Sequence, residues 1–148
     1  MILISHRGNI NGPNPSKENH PEYIKKALNQ GYNVEVDIWY TDKPMLGHDN
    51  PKYEFDSHTF FITYQKNIWW HCKNLEALIF FQNSSYADLN YFWHEEDTVT
   101  LTSQNNIWAY PGKQPVQNSI AVMPEMYGDD LSQCLGICSD FIINYKNE

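Results

Sequence analysis

The chain is poor in cationic side chains: ten Lys and Arg stand against eighteen Asp and Glu in 148 residues, a formal net charge of −8. They form no cluster, which argues against a nucleic-acid partner, because phosphate neutralisation is what drives that binding. A local phosphate site survives this exclusion where a divalent metal supplies positive charge. Cysteine is scarce and odd in number, three in all. Cys134 and Cys138 lack the spacing of a zinc knuckle, so free buried thiols in a cytoplasmic protein are expected. No apolar run is long enough for a membrane span, and no basic segment leads into one, so neither a membrane span nor a signal peptide is expected. Gly/Ser-rich linkers, internal repeats and low-complexity tracts are missing too. That leaves a single domain, residues 1–148, long enough to bury one sizeable core.

Aromatic residues, by contrast, are plentiful at 15 %, with ten Tyr, seven Phe and five Trp; they bury large areas and favour strands. Against this background three short polar clusters stand out, each at the end of an apolar, β-favouring run. His6-Arg7-Gly8 follows Ile2-Leu3-Ile4-Ser5. Glu35 and Asp37 alternate with Val34, Val36 and Ile38, which puts both carboxylates on one strand face and three branched aliphatics on the other. His48-Asp49 closes Pro44-Met45-Leu46-Gly47. Two histidines and two carboxylates gathered at one rim would make a metal-assisted acid–base site.

Between the first two clusters lies a helix. Asn19 with Glu22 three residues on reads as a capping box, Pro21 stands in the first turn, Tyr23, Ile24, Ala27 and Leu28 form an apolar stripe, and Gly31 is the stop. Strand–helix–strand over residues 2–40 implies parallel strands joined by a right-handed crossover. Residues 50–58 read as a loop, 67–73 as a buried strand, and 74–81 as a helix capped by Asn74. Strands are expected at 90–94, 99–102, 107–110, 119–123 and from Gly136 on. His94 with Glu95 and Glu96 is a second candidate for the polar rim, with a solvated loop as the plainer reading, and Ile107–Pro111 reads as core or oligomer contact. This order predicts an α/β protein with its active groups at the C-terminal ends of parallel strands. Eight units in this length leave about 18 residues each, against about 17 for a short strand and its crossover, so a closed barrel fits only if several helices are reduced.

Taken in order, Ser5-His6-Arg7-Gly8, Glu18-Asn19, Gly31, Glu35-Val36-Asp37 and Gly47-His48-Asp49 resemble the N-terminal signature of the glycerophosphodiester phosphodiesterases. These belong to the wider phosphatidylinositol-phospholipase-C-like phosphodiesterases, which are TIM barrels. The resemblance is strongest over residues 1–50. His71-Cys72-Lys73 is similar to the family's Glu-x-Lys strand, Gly136–Phe141 to its closing Thr-Asp strand, and residues 74–135 show no correspondence. It implies a compact, shortened TIM-barrel-like fold and a small-molecule phosphodiester substrate. His6 and His48 would be the acid–base pair, Arg7 and Lys73 would bind the phosphate, and Glu35, Asp37 and His71 would hold a divalent ion. The family's ion is Mg²⁺ or Ca²⁺ on three carboxylates. With His71 at the third position a softer divalent ion, weaker binding or no metal becomes open.

Plainer readings stand beside these. Glu35 and Asp37 could sit in a lumenal salt-bridge network with Arg7 and Lys73, since two buried carboxylates need cations or strong donors. His48-Asp49 could be a turn before Pro51. Asn19 is accounted for by the helix cap, Trp69 by the core, and a buried Lys73 needs a partner such as a phosphate or Glu35. Three functions follow: hydrolysis of a glycerophosphodiester or related ester, a catalytically idle barrel that binds a phosphorylated ligand, and a lyase that forms a cyclic phosphate. The short helices and the surplus of aromatics also predict a homo-oligomer.

Overall fold

Ile2-Leu3-Ile4-Ser5-His6 forms the first strand, β1, and every later parallel strand is placed by reference to it. The structure, a computed structural model, describes residues 1–146. β2 (Asn33–Tyr40) pairs parallel with one edge of β1, setting His6 opposite Glu35. The last strand, β9 (Gly136–Ser139), pairs parallel with the other edge. Outward from β2 lie β4 (Ile68–Cys72) and β5 (Asn90–Phe92), both parallel. Outward from β9 lie β8 (Ser119–Val122) and β7 (Ile107–Ala109), also parallel, then β6 (Val99–Leu101), antiparallel to β7. A short β3 (Pro44–Leu46) folds back antiparallel on β2.

The two ends of this sheet approach each other. The Ser103 amide donates to the Tyr91 carbonyl at 2.9 Å, and the Thr100 hydroxyl to the Trp93 carbonyl at 3.0 Å. The result is a nearly closed barrel of mostly parallel strands. The expected compact α/β barrel-like architecture is present at that level, with two departures: β3 and β6 run against their neighbours.

Helices cover only part of it. α1 (Pro21–Asn29), α2 (Ser57–Thr63) and α3 (Leu75–Asn83) all precede residue 84, and after that the described residues hold only two 3₁₀ turns, 124–126 and 142–145. The reduced helices expected from the chain length therefore fall in the second half. α2 lies partly in the span expected to be loop. Asp56 caps it by accepting from the Thr59 amide, and Phe60 and Phe61 anchor it in the core. α1 begins one residue later than the capping-box reading. With Pro21 at the first helical position the cap falls on His20, whose Nδ1 accepts from the Glu22 amide at 3.2 Å.

Alternation along the strands sorts the buried apolar residues into one cluster inside the barrel and two outside it, the smaller outer one being Tyr32, Ile137 and Ile142. Val34, Val36, Ile38, Ile68 and Trp70 face outward and pack with Ile24, Phe60, Phe61 and Phe81 of the helices. Ile4, Trp69, Phe92, Trp108, Ile120 and Cys138 form the cluster inside the barrel. The core reading of Trp69 and Trp108 holds. Cys72 and Cys138 are buried and Cys134 is half-buried, all three as free thiols. Among the described residues no helix is long and apolar enough to cross a membrane.

Candidate functional site

On β1, β4 and β9 the inward-facing apolar series ends and a polar residue takes the next inward position toward the C-terminal end. Ile4 is followed by His6 on β1, Trp69 by His71 and then Lys73 from β4, and Cys138 by Asp140 after β9. Glu35 and Asp37 hold two consecutive inward positions on β2 and are essentially inaccessible to solvent, at 1 % and 0 %. A barrel carries its reactive groups at this end, because there the strands hand over to loops that need not fill the lumen.

The turn after β1 is tight. Arg7 has φ 54 and Gly8 φ 93, and a Cβ on Gly8 would lie 2.7 Å from Tyr23 Cδ1, so residue 8 has to be glycine both for its backbone and for its close approach to α1. Arg7 is a non-glycine residue held in the left-handed region, a strain typical of binding and catalytic positions.

Asp37 is the hub of an ion network. Its Oδ2 lies 2.9 Å from Arg7 Nε, and its Oδ1 lies 3.3 Å from His71 Nδ1 and 3.7 Å from Lys73 Nζ. Asn19 clasps it from behind, donating Nδ2 to Oδ2 at 2.8 Å and accepting the Asp37 amide at 2.9 Å. Burial works to raise the Asp37 pKa, but His71, Arg7 and Lys73 outweigh it and hold the carboxyl well below the usual carboxylate range. His71 Nδ1 also meets Glu35 Oε1 at 3.1 Å, and its Nε2 donates to the His94 carbonyl at 2.8 Å. Burial opposes charge on this ring too. The bonds to Asp37 and Glu35 prevail, and its pKa is pushed up to about 9.

A second network orients His6. Its Nδ1 donates to Asp140 Oδ1 at 2.8 Å, while Nε2 stands 3.9 Å from Glu35 Oε2. Desolvation lowers the His6 pKa, but the Asp140 bond and the Glu35 charge more than offset it, so the pKa is raised. Asn9, fully buried, donates from Nδ2 to both Asp140 Oδ1 at 2.8 Å and Glu18 Oε1 at 2.9 Å. Glu18 Oε2 in turn accepts from Arg7 Nη1 at 3.3 Å.

His6, Arg7, Glu35, His71, Lys73 and His48 all line one cleft of about 420 Å³. His48 differs from the rest. It sits on the turn after β3, its side chain is 42 % exposed, and its Nδ1 meets Asp49 Oδ1 at 2.7 Å. Gly47 makes this turn possible, since a Cβ there would lie 2.2 Å from the Asn50 carbonyl oxygen. His48 thus sits in a turn and also lines the cleft.

Glu35, Asp37 and His71 offer one donor atom each within 4.8 Å of one another. Glu35 Oε2 and Asp37 Oδ1 are buried without a hydrogen-bond partner among the described residues. The Nε2–H of His71, fixed on a backbone carbonyl, leaves Nδ1 as the lone-pair nitrogen of the neutral ring, turned toward both carboxylates. That is how a ligating histidine is usually held. The donor set therefore fits a divalent ion. It fits a proton on Nδ1 as well, which makes His71 an imidazolium between two carboxylates.

Three further residues take part that sequence reasoning had placed elsewhere or left without a role. Asn19, expected as the helix cap, holds Asp37 instead. His94, a rim candidate with a solvated loop as its plainer reading, is 7 % exposed and lines the cleft, with its carbonyl on His71. In the sequence Asp140 stands out only as part of the closing-strand motif. Its signal was the alternation Gly136, Cys138, Asp140 on the closing strand, which fixes its face but not its partner, 134 residues away. No family model matches the chain, and neither a curated protein nor a solved structure matches it.

Proposed function

We propose that the chain is a shortened TIM-barrel phosphodiesterase of the glycerophosphodiester phosphodiesterase type, acting on a glycerophosphodiester or related phosphate ester. The observation that carries this reading is the lining of one cleft by His6, His48 and His71, the cations Arg7 and Lys73 and the buried carboxylate of Glu35, drawn from β1, β2, β4 and the β3 turn. In this reading Arg7 and Lys73 bind the non-bridging phosphate oxygens. Arg7 commits Nε and Nη1 to Asp37 and Glu18, and its Nη2 is left for a non-bridging phosphoryl oxygen. His6, with Nδ1 on Asp140, has Nε2 for the proton of the attacking hydroxyl or water. His48, on the exposed rim, protonates the departing alkoxide. Glu35, Asp37 and His71 would hold the divalent ion, which when bound neutralises phosphoryl charge and orients the group.

The test is turnover of a chromogenic phosphodiester by purified protein, with and without Mg²⁺, Ca²⁺ or Mn²⁺, alongside metal analysis. His6→Ala and Glu35→Ala are expected to lower kcat by about 10²- to 10⁴-fold; activity that survives either substitution removes this mechanism. Asp140 acts through His6 as a positioning residue. Asp140→Asn is expected to lower kcat by about 10- to 100-fold with KM little changed, and to displace the limb of the pH–rate profile that reports His6. An unaltered profile would sever that link.

One observation favours a second reading, a phosphate-binding barrel without turnover. Arg7, Lys73 and His71 already surround Asp37, so the carboxylates have counter-charges of their own. Phosphate uptake with no turnover in any divalent ion would select it. A cyclic phosphate as end product would instead select the lyase.

A further inference from the structure

A second cleft, of about 350 Å³, adjoins the first, and the residues common to both linings are Arg7 and His48. Each volume is in the range that holds a small-molecule group. The two clefts differ in chemistry. The first is walled by Trp108, Tyr110, Val122 and Met126, with Glu95 and Glu96 at its edge. Its cations, Arg7 and Lys73, belong to the network around Asp37. The second is lined by Glu18, Asn50, Lys52 and Tyr53, a mixed set of donors and acceptors.

We propose that these clefts are subsites for the two alcohol arms of a single phosphodiester, whose phosphate lies on the divide formed by Arg7 and His48. This rests on the phosphodiesterase reading above and goes further, because it assigns an arm to each side. A carbon-rich arm without negative charge suits the first cleft, where apolar surface is available and Glu95 and Glu96 repel an anion. A short, hydroxyl-bearing arm suits the second, where Asn50 and Lys52 donate and Glu18 and Asp49 accept. Inorganic phosphate or a monoester on Arg7 leaves at least one cleft empty. A diester is the smallest phosphate ester with an arm for each.

Met126 lines the first cleft and Lys52 the second, and both are exposed, so a bulky residue at either narrows its cleft without disturbing the core. Met126→Trp, Lys52→Trp and the double variant are compared with wild type on glyceryl 4-nitrophenyl phosphate, which has one hydroxyl-bearing and one aryl arm. Inorganic phosphate is the competitor. Each single variant is expected to raise KM about fivefold or more, the two effects multiplying in the double variant, with the inhibition constant of phosphate unchanged within about twofold. If the diester binds without turnover, dissociation constants replace KM, and only the hydrolytic part of the earlier reading fails. Either single variant with an unchanged KM overturns the proposal, and so does a wild type that prefers inorganic phosphate to the diester. A wild type that takes up neither ligand overturns this proposal and the phosphodiesterase reading together.

Discussion

Asp37→Asn is expected to destabilise the protein by about 3–5 kcal/mol, read as a shift of the urea-unfolding midpoint in the presence of a chelator. The change is nearly isosteric, so packing is preserved and the effect isolates charge. Asp37 has no exposed surface. Its carboxylate faces Arg7 at 2.9 Å, His71 at 3.3 Å and Lys73 at 3.7 Å. Each of these cations has given up part of its hydration to reach the lumen. With a neutral amide at the centre, Lys73 has no other carboxylate within ion-pair distance among the described residues, and Arg7 retains only Glu18. The asparagine amide also brings a donor to a position where Asn19 Nδ2 already donates. Breaking one member of a buried ion network leaves the others unpaired, which is the costly case. Lys73→Met in the Asp37→Asn background is expected to recover at least about 1 kcal/mol, because it removes one of the stranded charges. A single Asp37→Asn variant within about 1 kcal/mol of wild type would mean that Asp37 is not the centre of the network.

How far this site could be seen in advance depends on the length of the pattern. Residues 33–40 are long enough for alternation to show, so the strand, its two faces and the placing of Glu35 and Asp37 were all legible. Asn74 was legible as a cap because its side chain accepts from the Ala77 amide in the ordinary local way. α2 was not. Its Ser-His-Thr-Phe-Phe-Ile-Thr has the composition of a strand, and what makes it helical is the docking of Phe60 and Phe61 on the outer core, a tertiary effect that overrides local preference. β5, β6 and β7 are three residues each, too short to fix a face or direction. The antiparallel β6 therefore had no signature. Asp140 and His94 are a related case. Their local sequence says only that they are polar, and their roles come from the pairing of β9 with β1 and of β5 with β4, which sets residue 140 beside residue 6 and residue 94 beside residue 71. Asn19 misled for a physical reason: Pro21 moved the cap to His20 and freed the asparagine for Asp37.

The choice between a proton and a metal ion on His71 has a measurable consequence in pH. In chelator, the folded-state pKa of His71 is about 9 against an ordinary 6.5, so the folded protein holds this proton more tightly than the unfolded chain. A raised pKa of this kind stabilises fully below the unfolded value and is lost as pH climbs through the folded one. Chelator-treated protein is therefore expected to lose stability between about pH 7 and pH 10, on the order of 3 kcal/mol, from this group alone. His6, also raised, acts in the same direction. Asp37 and Asp140 are both lowered, and their contributions fail only in acid, outside this window. Added Mn²⁺ reverses the trend, since the ion needs the Nδ1 lone pair that the proton occupies. Its stabilising effect is expected to grow with pH over the same interval, with affinity rising by up to about tenfold per pH unit until His71 is neutral. His71→Asn keeps a polar side chain but removes this titration, and should reduce the slope of the chelator profile to the part that His6 contributes and remove the pH dependence of the Mn²⁺ effect. Unfolding midpoints at a series of pH values, with chelator and with Mn²⁺, decide the matter. A flat chelator profile for wild type would show that His71 is not the buried cation between Glu35 and Asp37. Metal stabilisation independent of pH would show that the ion does not displace its proton.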